Sequence, residues 1–305
     1  MLRKDIDHVA VVGTGVIGAG WTALFLERGL RVTANDTGAN AEEKLRGWLT
    51  LNTPQVSQDL LTFDTDLQSA VQNVKFVQEC GPEEITFKQE IFRKLDMYTE
   101  QDILLASSSS GITPTEFQVG ALHPERILLG HPFNPPHIMP LVEVCGGIST
   151  SGEAIEIALQ FYRLLGKRPI HMLKEMKGHV ANRLQAALWQ EAFYLVKEGV
   201  VSVEDLDAAI TEGPGMRWAL LGPLMNMHLG GGAQGIRHFL EHLGVPMKCW
   251  MDDLGKVEID EELINSLSTA IAVLVGENEL SQLMQKRDGF LKNVMDLKAM
   301  TTMLK

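Results

Sequence analysis

Residues 8–18 read His8-Val9-Ala10-Val11-Val12-Gly13-Thr14-Gly15-Val16-Ile17-Gly18, an apolar β-branched run followed by three glycines spaced Gly-x-Gly-x-x-Gly and then a helical pattern over 16–28. Each glycine has a physical task at that spacing. Gly13 permits a tight turn out of the strand, Gly15 lets backbone approach a pyrophosphate, and Gly18 lets the helix pack closely on the strand. The first helical turn leaves amides unpaired at the positive end of the helix dipole, those of Val16 and Ile17 among them, which suits phosphate. A second strand is expected over 31–35. Asp36 at its end can accept from the hydroxyls of an adenosine ribose, and its charge would repel a 2′-phosphate. The stretch predicts a strand–turn–helix–strand unit that binds NAD in preference to NADP.

Outward from this unit, the first half alternates short apolar runs with helical patterns. Strands are expected over 74–77, 103–106, 127–130, 141–144 and 169–173, with a helix over 84–95. The segment between the second strand and residue 74 reads only as a polar stretch rich in Asn, Thr and Gln. The series predicts an α/β chain with a Rossmann-type doubly wound sheet over 1–177. From 178 the texture is all-α, with breaks at Gly199, Gly213, Gly222-Pro223, Gly230 and Gly244. A helix over 181–196 carries a stripe of Leu184, Ala187, Leu188, Ala192 and Leu195, and Ser202 is the expected cap of another over 203–210. Residues 178–305 therefore read as a helical substrate and dimerisation domain.

At 305 residues the chain has length for about two domains, each with its own core. The 27 Lys and Arg against 39 Asp and Glu leave a formal charge of -12, which argues against nucleic acid and anionic membrane surfaces as partners. No apolar stretch is long enough to span a bilayer, and a strand beginning near Val9 leaves no room for a signal peptide. Cys80, Cys145 and Cys249 are odd in number and widely spaced, which fits neither a disulfide framework nor structural zinc and suggests a reducing, cytoplasmic setting. His238 and His242 lie four apart without a third ligand, so no metal site is expected.

Four polar features follow the strands of the second half of the sheet, the edge where open α/β sheets bind ligands. They are the run Ser107 to Ser110, His131 ahead of Pro132-Phe133-Asn134-Pro135-Pro136, Glu143 within an apolar strand, and Asn182 near the start of the first long helix. Hydride transfer from a secondary alcohol needs a base for the hydroxyl proton, and imidazole suits that task near neutral pH. His131 is the candidate base. Glu143 can hold it in one tautomer and stabilise the imidazolium, while Ser110 and Asn182 bind the substrate oxygen. Simpler roles remain open: a turn histidine, a solvent-facing Glu143, a Ser run that only caps a helix, and Asn182 as a cap.

These residues resemble the 3-hydroxyacyl-CoA dehydrogenase superfamily over nearly the whole chain. The stretch Phe76-Val77-Gln78-Glu79-Cys80 continuing to Glu83 and Lys88, the Ser run, His131-Pro132-Phe133-Asn134-Pro135, Leu141-Val142-Glu143-Val144 and Gly178-x-x-x-Asn182-Arg183-Leu184 occur in family order. The resemblance implies His131 as acid/base, Glu143 as its partner, Ser110 and Asn182 as substrate-oxygen ligands, and Ser110, Glu83, Lys88 and Asn134 as cofactor contacts. It also implies a homodimer through the helical domain. Gly215-Met216-Arg217-Trp218-Ala219 with Gly222-Pro223-Leu224 looks like the branch holding lambda-crystallin, an L-gulonate 3-dehydrogenase. Gly231-Gly232, Ile236-Arg237-His238-Phe239-Leu240 and Lys248-Cys249-Trp250 are similar to L-carnitine dehydrogenases.

Members of the superfamily that act on CoA thioesters generally carry a Lys-rich insertion after the second strand, where cations meet the CoA phosphates. Here residues 37–87 offer only Lys44, Arg46 and Lys75 in that role. The expectation is therefore an NAD-dependent oxidoreductase interconverting an L-3-hydroxy acid and its 3-oxo acid, with a free, L-gulonate-like acid favoured. The alternatives are an L-3-hydroxyacyl-CoA such as 3-hydroxybutyryl-CoA, L-carnitine, or a non-catalytic, crystallin-like NAD(H)-binding protein. Arg217 suits a substrate carboxylate, or an ion pair between domains. Trp189, Phe193, Trp218, Phe239 and Trp250 are candidate walls for a quaternary ammonium, although a place in the core is the more ordinary use of such aromatics.

Overall fold

The computed structural model describes residues 5–300 and divides between Arg183 and Leu184 into two compact units. In the first, β1 (His8–Val12), β2 (Arg31–Asn35), β3 (Leu61–Asp64), β4 (Phe76–Glu79), β5 (Leu104–Ser107), β6 (Ile127–Pro132), β7 (Leu141–Gly146) and β8 (Arg168–His171) form one sheet. The order is β3-β2-β1-β4-β5-β6-β7-β8. All neighbouring pairs are parallel except β6 and β7, so the last two strands run against the other six. The strand order reverses between β1 and β4, the switch point beside which a doubly wound sheet takes its ligand.

Helices cover both faces: α1 (Val16–Glu27), α2 (Ala41–Asn52), α3 (Leu67–Ala70), α4 (Ile85–Tyr98), α5 (Pro114–Phe117) and α6 (Gly152–Leu164). This explains why β1 is apolar at every position from Val9 to Val12. Val9 and Val11 enter one core with Trp21, Phe25, Phe161 and Tyr162, while Ala10 and Val12 enter another with Phe92, Leu95 and Phe117. Each large side chain so buried contributes roughly 1.5–3 kcal/mol. The two stacked pairs Trp21–Phe25 at 5.3 Å and Phe92–Phe117 at 4.8 Å lie one in each core.

The sheet departs from the sequence reading in three places. The polar stretch between β2 and β4 holds α2 and β3: Ala41, Leu45 and Leu49 repeat every four residues and are all buried, a stripe diluted by charged neighbours. The segment before β8 holds α6, whose cap is Ser151, its hydroxyl accepting from the Ala154 amide at 3.1 Å. The alternation of strands and helical patterns reads as a parallel sheet, and the last part of it departs from that at β7, which is reversed because β6 and β7 are joined by a short loop over 133–140 that cannot make a crossover.

The division between the units falls inside α7 (Ala181–Lys197), later in the chain than the boundary expected after residue 177. The second unit continues with α8 (Val203–Thr211), α9 (Pro214–Leu220), α10 (Pro223–Gly230), α11 (Gly235–Asp253), α12 (Glu261–Val275) and α13 (Leu280–Met300). Ser202 caps α8 through the Asp205 amide at 3.1 Å, and Asp260 caps α12 through that of Leu263 at 2.9 Å. Gly255 lies against the ring of Tyr194 and exchanges bonds with Gln190 and Glu191, both at 2.8 Å. Among the described residues of this unit, Leu263 is the only buried large apolar side chain, although Trp189, Trp218 and Trp250 all belong to it. No helix of the described residues is long and apolar enough to cross a membrane.

The loop after β1 has the shape its glycines imply. Gly13 has φ +92°, and a Cβ there would meet the Cys80 carbonyl oxygen at 2.7 Å; a Cβ at Gly18 would fall 1.9 Å from the Gly13 carbonyl oxygen. A Cβ at Gly15 would meet nothing within 4 Å. Gly18→Ala should therefore cost about 1–3 kcal/mol of stability in chemical denaturation. Gly15→Ala should leave stability unchanged and weaken NADH about tenfold or more in a fluorescence titration, because the space over it is open and is where a bound pyrophosphate would approach the backbone.

Candidate active site

At the sheet edge the cofactor loop keeps its donors free. The first intrahelical bond of α1 runs from the Ala19 amide to Gly15 at 2.8 Å, so the amides of Val16, Ile17 and Gly18 have no partner within the helix. Asp36 is held by the Thr14 amide and hydroxyl on Oδ2 and by the Gly38 amide on Oδ1, each at 2.8 Å. Burial pushes its pKa up, yet these bonds outweigh that and leave it below the ordinary aspartate range. An ionised, half-buried carboxylate beside an open glycine loop and a free helix terminus fits the ribose and pyrophosphate of a dinucleotide.

His131 is the fifth residue of β6 and pairs in register with Glu143, the third of β7. Directly opposed residues of an antiparallel pair share a face, and the side chains meet: His131 Nδ1 lies 2.8 Å from Glu143 Oε2. Glu143 is fully buried, which excludes the solvent-facing alternative. Its other oxygen accepts from the amides of Val180 at 2.9 Å and Ala181 at 3.0 Å, at the start of α7. Burial pushes the carboxyl's pKa up, and the bonds from His131 and the two amides more than reverse this, so the group stays ionised near neutral pH. An ionised Glu143 makes Nδ1 the donor and leaves Nε2 as the proton acceptor, the arrangement a general base needs.

The Ser run is a loop shaped by Glu83. A single oxygen, Oε1, accepts from the Ser109 hydroxyl at 2.7 Å and from the amides of Ser110, Gly111 and Ile112 at 3.0, 2.8 and 3.3 Å. Ser110 is exposed at the tip, and its carbonyl accepts from Asn182 Nδ2 at 3.1 Å. Asn182, Ser110 and the His131–Glu143 pair are thus linked through the start of α7. Lys88 is buried, with its ammonium bonded to both oxygens of Glu79 at 2.8 Å and to the Gly81 carbonyl at 3.1 Å. That places it under the turn facing Gly13, not at an open edge. Asn134 is exposed in the loop that follows β6.

Two residues outside the sequence expectation belong to this constellation. Gln78 ties three elements beneath the site: it accepts from the Tyr162 hydroxyl at 2.7 Å and donates to Ser108 Oγ at 2.8 Å and to the Gly130 carbonyl at 3.2 Å. Its signal was a polar residue within an apolar strand, in the stretch Phe76 to Cys80 that also carries the resemblance, and neither pointed to this role. His179 is buried with its ring 5.0 Å from that of His131 and its Nε2 2.9 Å from the Ser109 carbonyl. It stands at one of the unspecified positions between Gly178 and Asn182, so spacing alone carried no sign of it.

In the second unit, Arg217 lies exposed on α9 and has no ion pair within that unit among the described residues. Trp189, Trp218 and Trp250 are 47%, 43% and 64% exposed, against the expectation of a core role. Within the second unit these three rings are left only partly covered. The rings of His238 and His242 stack at 6.0 Å, and no group of metal-ligating side chains occurs among the described residues.

Comparison with known proteins agrees with this geometry. Residues 8–176 match the model of the 3-hydroxyacyl-CoA dehydrogenase NAD binding domain, and residues 178–260 that of the 3-hydroxyacyl-CoA dehydrogenase C-terminal domain. An L-carnitine dehydrogenase of Bacillus cereus is 40% identical over 97% of this chain and 94% of the relative. A 3-hydroxyacyl-CoA dehydrogenase of Gibberella moniliformis is 42% identical over 94% of this chain and 93% of the relative. Among solved structures, the NAD+ dependent dismutase 5-formyl-3-hydroxy-2-methylpyridine 4-carboxylic acid 5-dehydrogenase aligns with TM-score 0.84 and 27% identity, over 96% of this chain and 99% of that one. With both domain models matched in order along a chain whose sheet edge carries a dinucleotide loop and a buried His–Glu pair, the protein belongs to the 3-hydroxyacyl-CoA dehydrogenase family and is an NAD-dependent dehydrogenase.

Proposed function

We propose that the substrate is L-carnitine, a free L-3-hydroxy acid, oxidised at its hydroxyl to the 3-oxo acid. The observation that carries this reading is the full-length likeness to L-carnitine dehydrogenases, at 40% identity for that of Bacillus cereus and 41% for that of Streptomyces coelicolor. The L-gulonate-like acid favoured from sequence gains no support from these relatives. The more general expectation, a free hydroxy acid, is kept.

Bound NAD would supply the acceptor for the hydride that leaves the carbinol carbon. His131 Nε2 takes the hydroxyl proton, while Nδ1–H stays on Glu143 and the carboxylate stabilises the imidazolium that forms. A base so placed contributes about 10²–10⁴-fold to the rate. Ser110, exposed at its loop tip, and Asn182 hold the substrate oxygen. Asn134 and the second oxygen of Glu83 would hold the cofactor. Lys88 acts on the cofactor indirectly, by fixing the turn at Gly81. Arg217, whose planar fork matches a carboxylate, binds the acid group, and exposed tryptophan faces of the second unit suit a trimethylammonium.

The second reading, a CoA thioester, is favoured by the 3-hydroxyacyl-CoA dehydrogenase of Gibberella moniliformis. Against it stand the cations after β2: Arg46 is paired with Glu42 at 2.9 Å, and Lys75 with Asp5 and Asp7 at 3.0 and 2.8 Å. Only Lys44 of the three makes no ion pair among the described residues, too little charge for a nucleotide carrying several phosphates. A homodimer formed through the helical domain would cover apolar side chains such as Leu184, Trp189, Leu240 and Trp250, each at least 47% exposed in the single chain.

Assays of NADH formation at equal concentrations of L-carnitine, L-gulonate, L-3-hydroxybutyrate and 3-hydroxybutyryl-CoA should give the highest kcat/KM with L-carnitine; preference for the thioester would select the second reading. His131→Gln should lower kcat by about a hundredfold or more while NADH affinity stays within about twofold of wild type. Light scattering at micromolar protein should return the mass of two chains, and a monomer would remove the dimer.

A further inference from the structure

His179 is a buried histidine that the reaction as described does not use. Its backbone is in the left-handed region, φ +54°, unusual for any residue with a Cβ, and its amide donates to the Met176 carbonyl at 2.9 Å. Because a carbonyl only accepts, the 2.9 Å contact with Ser109 puts the ring proton on Nε2. The next two residues in the chain, Val180 and Ala181, are those whose amides bind Glu143 Oε1. One short segment therefore joins the Ser loop to the carboxylate that orients His131, through His179 on one side and Asn182 on the other.

We propose that His179 is a positioning residue: its Nε2–H bond to Ser109 holds the start of α7 in place, so that the Val180 and Ala181 amides stay on Glu143 and neutralise part of its charge. This rests on the reading of His131 as the general base. The ionisable groups placed against His131 are Glu143 from β7 and His179 itself from the entry to α7. Burial keeps the His179 ring below the usual histidine range, with the nearby His131 acting in the same direction, so it stays neutral beside a partner that must accept a proton. If the two amides withdraw, Glu143 carries its full charge and holds the His131 imidazolium more strongly.

The test uses the full-length protein with two variants. His179→Phe keeps a ring but loses the donor, whereas His179→Gln supplies an amide N–H. In the Phe variant, hydrogen exchange at the Val180 and Ala181 amides should speed up about tenfold or more. The acidic limb of its pH–rate profile, and the pH midpoint of the His131 ring signals in NMR, should move up by about half a unit or more. The Gln variant should restore both. Unmoved exchange and midpoint in the Phe variant, or equal impairment in the two variants, would overturn the proposal. If the Phe variant does not fold, two measurements decide. His179 in the wild type should remain neutral and protonated on Nε2 across the active pH range, and the Gln variant should keep wild-type exchange; failure of either overturns it. Exchange and NMR need no turnover, so they remain readable if His131→Gln shows that another group is the base.

Discussion

A carboxylate with no access to water must be surrounded by donors or lose its charge, and Glu143 meets that condition with donors from two different elements. His131 comes from β6, across the only antiparallel pairing in the sheet. The Val180 and Ala181 amides come from the chain as it turns into α7. Strand direction, strand register and the entry of the first long helix are thereby tied to one side chain. Removing a partner of such a buried charge generally costs about 3–5 kcal/mol, so the geometry of the acid/base pair and the stability of this edge are hard to alter separately.

The other end of the site is organised by shape more than by charge. The glycine loop leaves no room for a Cβ at Gly13 or Gly18 and open space over Gly15. Beneath it, Lys88 and Glu79 form a second buried pair, and Glu79 also accepts from the Ser107 hydroxyl at 2.7 Å. The same carboxylate thus supports both the turn facing the cofactor loop and the base of the Ser run. Glu83 then shapes the tip of that run with a single oxygen. The turn facing the cofactor loop and the Ser loop share one buried polar framework.

Much of the secondary structure was legible because its signals are local. Strand β1 is apolar at every position since both of its faces are covered, and Ser202 caps α8 as its sequence position implies. Helix α2 was missed because only Ala41, Leu45 and Leu49 of its twelve residues are buried, and charged residues separate them. The aromatic residues of the second unit misled for the opposite reason. Their helical spacing is real, but Trp189, Trp218 and Trp250 stay largely exposed.

The sequence by itself determined the dinucleotide loop, the preference for an unphosphorylated ribose through Asp36, the two-part division of the chain, and the list of polar residues at the edge. These follow from steric and electrostatic rules that operate over a few residues. Only the tertiary structure decided that β7 runs against β6, that His131 therefore faces Glu143 at 2.8 Å, and that His179 lies between the Ser loop and α7. Those facts depend on strand direction and on contacts between segments some 12 to 70 residues apart, where spacing in the chain carries no information about distance in space.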